Sequence, residues 1–381
     1  MKNIIIPDYN HCLMNITTTI LKHYNVPTSY KSINILEREL NKNYRNVVLI
    51  LVDAMGSVIL KKHSEEVKYL IENQKDELTT VFPSTTVSAT TSILTGKPPV
   101  NTGWIGWLQY IKEEDKSVIL FLNKDFYNDK TTFDYNISEK FVSVTKIYEL
   151  IEKYNPNVKT KEIFPEFREP NHKTFKDLCD SIIKETEKPD KHFIYAYWDK
   201  LDTYLHKTGT LSNKVHNHLK EINENVERLI RKLDDDTLVI ITADHGQIDI
   251  EEVVLWDYPK IVDTFKHKPS VEARATAFFI KEGMEEQFVK NFNKEFKDYF
   301  ILYKSEDILK AKFLGNDVAH PKLKEFLGDY FSIAIDKYSF KLVNSKQSFK
   351  AQHAGLTIDE MLIPLIMFSH KKSHKTSMSL S

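Results

Sequence analysis

The stretch "NVVLILVDAMG", residues 46–56, sets six consecutive aliphatic side chains, Val47 to Val52, directly ahead of Asp53. The run is too short for a buried helix and rich in β-branched residues, so it reads as a strand covered on both faces. Three more runs share the pattern: "HFIYAYWDKLD" (192–202), "TLVIITADHGQ" (237–247) and "MLIPLIMFS" (361–369). Strands with no polar face need a layer on each side, which predicts a mainly parallel central sheet with helices on both faces. The segment 211–233 supplies such a helix, since Val215, Leu219, Ile222, Val226, Leu229, Ile230 and Leu233 recur at helical spacing.

Residues 271–335 form a second cluster of elements: "VEARATAFFI" as strand, 284–298 as helix, "FILY" as strand, then "LGDYFSIAI". The expected organisation is a catalytic α/β unit from 1–265 and 346–381 with a small lobe, 266–345, inserted into it. The polar, aperiodic end 372–381 reads as a disordered tail. With 381 residues and 41% hydrophobic content the chain has material for a sizeable core. Lys plus Arg number 53 against 54 Asp plus Glu, a net charge of -1 that gives no dedicated nucleic-acid surface and no anionic-membrane surface. The two cysteines, Cys12 and Cys179, have no metal-type spacing and make no disulfide framework; the N-terminus lacks the apolar core of a signal peptide. No apolar run approaches the roughly 18–20 residues of a membrane helix. The expectation is a cytoplasmic protein.

Three of the strands end in acids: Asp53, the pair Asp199 and Asp202, and Asp244 followed by His245. A single Asp at a strand end is commonly a turn former or cap. Parallel strands, however, bring their C-terminal ends to one edge, where open α/β sheets bind their ligands. Asp202 and His206 lie four apart in "DTYLH" and share a helix face. His353 stands just ahead of the last strand. Asp53, Asp202, His206, Asp244, His245 and His353 make a mixed N and O set that suits zinc and, less well, manganese. Six ligands overfill one tetrahedral ion; two divalent ions about 3.5–4 Å apart use them all and suit an in-line displacement. Most of the fourteen His, including His216 and His218, read as surface or core imidazoles.

The stretch "TTVFPSTTVSATTSILTGKPPV" (79–100) holds seven Thr and three Ser. From Thr86 to Leu94 it reads as a helix whose first turn lies among hydroxyls. A helix N-terminus offers free N–H groups to a phosphate, and most of the hydroxyls cap and pad. A Thr hydroxyl becomes a nucleophile when a nearby divalent cation lowers its pKa.

Together "PDYNHCLMNI", "LILVDAMG", "TTVFPSTTVSATTSILTGKPPVNTGWIGW", "YAYWDKLDTYLHKTG", "IITADHGQ", "VEARATAFFI", "HPKLKEFLGDYFSIAIDK" and "HAGLTIDEMLIPLI" give the chain a resemblance, almost end to end, to a known family. It resembles the type I phosphodiesterase/nucleotide pyrophosphatase family of the alkaline phosphatase superfamily, in its bacterial and archaeal form. The resemblance implies an alkaline-phosphatase-like fold and hydrolysis of a small phosphate ester or nucleotide through a covalent phosphothreonine. It implies that Asp53, Asp244 and His245 hold one metal beside the nucleophile and that Asp202, His206 and His353 hold the other. The family's "FPTKT" pattern maps its last Thr onto Thr86 of "FPSTT", making Thr86 both nucleophile and metal ligand, ahead of Thr85. Vertebrate-type members carry an Asn three residues after the nucleophile where this chain has Ala89. Alternatives on the same scaffold are a phosphomonoesterase, a phosphonate hydrolase, or a non-hydrolytic metal-binding interaction or defence protein; a sulfatase is disfavoured by the absence of Cys near Thr86. Trp104 and Trp107 in "GWIGWLQY" follow the nucleophile helix and are candidates to stack on a substrate base or aryl group.

Overall fold

In the computed structural model, which describes residues 4–128, 130–343 and 348–369, the run after Asn46 forms strand β1 (Asn46–Val52), buried along its whole length. Each aliphatic side chain so buried contributes about 1.5–3 kcal/mol. With β2 (Gln74–Thr79), β3 (Val158–Ile163), β4 (Lys191–Trp198), β5 (Thr237–Thr242) and β6 (Leu362–Phe368) it makes a six-stranded sheet in the order β2-β6-β5-β1-β4-β3. The four apolar runs are the four interior strands. The edges, "QKDELT" and "VKTKEI", are rich in charged side chains, which discourage further pairing.

Strand β1 pairs in parallel with β4 and β5, and β3 with β4, so Asp53, Trp198 and Thr242 leave the sheet at a common edge. Strand β6 runs opposite to both neighbours, β2 and β5. This reversal matters for the site. A residue ahead of a parallel strand would sit at the far edge, whereas His353, ahead of an antiparallel one, arrives where the other strands end.

Two helices extend from that edge: α1 (Thr86–Thr95) after the β2 loop and α2 (Lys200–Thr208) directly after β4. The expected amphipathic helix is α3 (Asn213–Lys232), capped by the Ser212 side chain and burying Val215, Leu219, Ile222, Val226, Leu229 and Ile230.

A second sheet of seven strands is antiparallel throughout, in the order 300–304, 330–334, 275–280, 265–271, 108–111, 116–119, 124–125. It therefore takes in residues 108–125 as well as the segment expected to form the inserted lobe. One face is covered by the helix Glu285–Phe296, whose Phe288, Phe292 and Phe296 lie on one stripe and pack with Phe278, Phe300 and Phe340. "VEARATAFFI" is not one strand, as its sequence predicts: pairing stops at Val271 and resumes at Ala275. The cause is Glu272 and Arg274, which turn to partners outside the sheet. The tail 372–381 lies outside the described residues. Among the described residues no helix is long and apolar enough to cross a membrane.

Candidate metal centre and nucleophile

At the end of β1 the backbone turns sharply, with Ala54 at φ 61°, and the Ala54 N–H donates to Asp244 Oδ1 at 3.0 Å. That oxygen also accepts the His245 N–H at 2.9 Å, so the ends of β1 and β5 are stitched by one carboxylate oxygen. The Tyr197 hydroxyl, on β4, donates to Asp53 Oδ2. The two remaining oxygens, Asp53 Oδ1 and Asp244 Oδ2, are buried without a hydrogen-bond partner among the described residues. Each lies 3.5 Å from His245 Nε2. His245 Nδ1 lies 3.0 Å from the Gly246 carbonyl, which can only accept, so Nδ1 carries the proton and Nε2 presents its lone pair to the carboxylates. Thr86 Oγ1 stands 3.1 Å from the same nitrogen.

Burial, followed by the charges of Asp244 and Asp202, pushes the Asp53 carboxyl well above the usual range; burial also raises Asp244. Two buried acids aim unpartnered oxygens at one imidazole lone pair, and a cation is what such a set lacks. The residues present therefore fit a divalent metal.

Asp202 and His206 share one face of α2 as their spacing predicts. His206 Nε2 is 3.4 Å and His353 Nε2 3.8 Å from Asp202 Oδ1. His206 Nδ1 is held at 2.7 Å by the Ala351 carbonyl, again leaving Nε2 free. The Gln247 amide donates to Asp202 Oδ1. In each of the two groups, Asp53–Asp244–His245 and Asp202–His206–His353, the ligand atoms lie within 4.8 Å of one another. The groups adjoin: the His245 and His353 rings stack with centroids 3.9 Å apart. Burial, then His245 and His206, holds His353 well below the usual imidazole pKa, in the neutral form that ligates.

A cavity of about 390 Å³ opens over Asp202, His206 and His353, with Trp107, Phe126, Phe340 and Phe349 in its walls. Thr85 lines this cavity, while Thr86 stands beside His245. Thr85 is 1% exposed and its hydroxyl donates to Glu272 Oε1 at 2.6 Å, while Thr86, the first residue of α1, is half-buried. The two tryptophans also part company. Trp107 lines the cavity, but Trp104 corrects the sequence reading: it is buried among apolar side chains that include Val100, Ile105 and Val142, its indole N–H donates to the Val142 carbonyl at 2.6 Å, and its ring packs on Phe121. An indole so satisfied is a packing element.

The sequence reading missed Tyr197, Gln247 and Glu272. Glu272 Oε1 accepts from Thr85 and from the Trp107 N–H at 2.7 Å, and burial raises its carboxyl to about 7. It follows Val271, whose φ of 77° is strained for a β-branched residue. Ala54 follows Asp53 and Ala354, at φ 95°, follows His353, so left-handed backbone recurs beside the site. The available signal was "VEAR", two opposite charges inside an otherwise apolar strand pattern.

Known proteins resemble the chain in sequence and in fold. The sequence profile of the type I phosphodiesterase / nucleotide pyrophosphatase family matches residues 47–350. No curated protein sequence matches significantly. Among solved structures, murine ectonucleotide pyrophosphatase / phosphodiesterase 5, as an inactive variant in complex with AMP, is similar at TM-score 0.64 and 17% identity, over 84% of this chain and 87% of that one. The human protein of the same name gives 0.63 at 18% identity, over 85% and 88%. Phosphonoacetate hydrolase from Sinorhizobium meliloti 1021, in complex with phosphonoformate, gives 0.63 at 13% identity, over 85% and 90%. With the profile spanning Asp53, the hydroxyl-rich helix, Asp202, His206, Asp244 and His245, the chain belongs to the type I phosphodiesterase/nucleotide pyrophosphatase family and is a phosphoric ester hydrolase.

Proposed function

We propose that the protein is a phosphodiesterase or nucleotide pyrophosphatase that works through a phosphothreonine on Thr86. The observation that carries this reading is the convergence of Thr86 Oγ1 with His245 Nε2 beside the two unpartnered oxygens of Asp53 and Asp244. Asp53, Asp244 and His245 would hold one divalent cation and Asp202, His206 and His353 a second, with zinc the best match to the donors and manganese the next. When bound, the two ions supply the positive charge that favours the ionised Thr86 hydroxyl and the departing oxygen.

The chain's own groups do the rest. The Thr86 oxygen, its proton released to solvent, forms a bond to phosphorus as the bond to the leaving alcohol or phosphate breaks, and the departing oxygen takes up a proton from water. Water then attacks the same phosphorus from the vacated side and restores Thr86. Thr86 sits at N1 of α1, so the first N–H groups of that helix have no intrahelical acceptor and can donate to the phosphoryl oxygens. They take over the role of the Asn that Ala89 replaces. Thr85 cannot, because its hydroxyl already donates its hydrogen bond to Glu272. Trp107 offers a face for a nucleobase or aryl group. AMP in the murine neighbour favours a nucleotide; phosphonoformate in the bacterial one favours a phosphonate as the second reading. A cytoplasmic setting fits the free, buried Cys12 and Cys179.

Parallel assays on an aryl phosphodiester, a nucleotide pyrophosphate, a phosphomonoester and a phosphonate, with and without chelator, test the reading. Chelator-sensitive turnover strongest on the diester or pyrophosphate supports it. Turnover that survives chelation, or one confined to the monoester, refutes it.

A further inference from the structure

One set of metal-type side chains lies outside the site just described. His63, Glu66 and His216 bring their ligand atoms within 4.8 Å of one another. His63 caps the short helix Ser57–Lys62, which follows Asp53, and His216 stands in the first turn of α3.

His63 is buried, at 4% exposure, and its Nε2 lies 2.8 Å from the Thr210 carbonyl. A carbonyl only accepts, so Nε2 carries the proton and Nδ1 keeps its lone pair, the tautomer a metal requires. His206 and His245 are fixed by backbone carbonyls in the same way. His216 Nε2 is 3.5 Å from Glu66 Oε1, and these side chains are 43% and 17% exposed, so water reaches the cluster and an ion can enter. Two imidazoles and one carboxylate form a set that suits zinc with solvent completing the coordination.

The position of the cluster gives it a consequence. Thr210, which holds His63, donates its N–H and hydroxyl to Asp249 at 2.7 and 2.8 Å. It stands two residues beyond the end of α2, the helix of Asp202 and His206. An ion on His63, Glu66 and His216 therefore ties the segment that follows Asp53 to the corner that follows His206.

We propose that His63, Glu66 and His216 form a third divalent-cation site, of zinc type, that clamps the Ser57–His63 segment to the α2–α3 corner. It is separate from the two groups at the sheet edge and does not depend on them.

The test is to strip the full chain with chelator, equilibrate it with zinc, and count zinc per chain in the wild type and in a Glu66→Gln/His216→Ala variant. Both positions are water-accessible, which spares the buried His63. The wild type should hold one zinc more than the variant, and the variant should hydrolyse at the wild-type rate. A separate Asp202→Asn/His206→Ala variant should lose a different ion, so that combining both pairs lowers the count by two. Failure of the edge groups to bind would lower every count but leave the one-ion difference intact. Equal zinc in the wild type and Glu66→Gln/His216→Ala overturns the proposal. Zinc should also slow amide hydrogen exchange across 208–216 in the wild type alone; exchange unchanged by zinc removes the clamp.

Discussion

Replacing Glu360 by Gln should cost far more than its near-identical shape suggests. Arg274 and Glu360 are both fully buried, and the guanidinium fork meets the carboxylate through Nε–Oε1 at 2.7 Å and Nη2–Oε2 at 2.8 Å. The third arm of the fork, Nη1, donates to the Tyr338 carbonyl at 2.6 Å. Glu360 accepts in addition from the Gly355 N–H at 2.7 Å, and from the Thr357 N–H and hydroxyl at 3.2 and 2.6 Å. Gln keeps one acceptor oxygen and turns an NH₂ toward a donor, leaving a buried cation without its counter-charge. Breaking a buried pair from one side costs about 3–5 kcal/mol. At roughly 2 °C per kcal/mol for a large domain, the thermal midpoint should fall by about 6–10 °C. The damage should reach the site as well, because the Gly355 and Thr357 contacts shape the turn that presents His353. Scanning calorimetry on wild type, Glu360→Gln, Arg274→Met and the double variant checks this. The double variant should be less destabilised than the sum of the singles, since no charge is then left unpaired. A midpoint for Glu360→Gln within a degree or so of the wild type would falsify the reasoning.

Tyr197→Phe removes the hydroxyl that orients Asp53 and should weaken zinc binding at the Asp53 group by about 10–100-fold, read by competition with a chelating dye; unchanged affinity would mean the hydroxyl only packs. Trp107→Ala should lower kcat/KM for nucleoside or aryl diesters relative to alkyl diesters by about 5–150-fold, the equivalent of about 1–3 kcal/mol of stacking, without changing metal content; equal losses on both substrate types refute the stacking role. Glu272 titrates near 7 when folded and near 4.5 in its ordinary state, so it stabilises the fold fully below about 4.5 and loses that contribution as pH rises through about 7. In metal-free protein, Glu272→Gln should therefore flatten the decline in thermal midpoint between those pH values, and an unaltered decline would assign it to other groups.

The sequence exposes those parts of the molecule where burial and chemistry coincide. Strands β1, β4, β5 and β6 have no polar side, so composition alone marks them, and the acids that end three of them stand out against it. Strands β2 and β3 are edges whose polar alternation looks like surface loop, and the direction of β6 depends on pairings no local pattern encodes. Asp202 and His206 were legible because a single helical turn joins them. Glu272 was hidden because its partners, Thr85 and the Trp107 N–H, are distant in sequence and come from different elements. Trp104 and Trp107, three residues apart, could not be told apart by composition; the fold sends one indole to a carbonyl in the core and the other to the cavity wall.

During turnover Thr86 should carry the phosphoryl group of the substrate. The direct measurement is to quench zinc-loaded protein with acid while it is hydrolysing an aryl phosphodiester, digest it, and locate any phosphoryl group by peptide mass spectrometry. The mechanism predicts a substrate-dependent adduct on Thr86, a phosphoryl group still carrying the diester's second ester group, that is absent in Thr86→Ala and fades once substrate is exhausted. An adduct on Thr85, or active protein that never carries one under rapid quench, would contradict it.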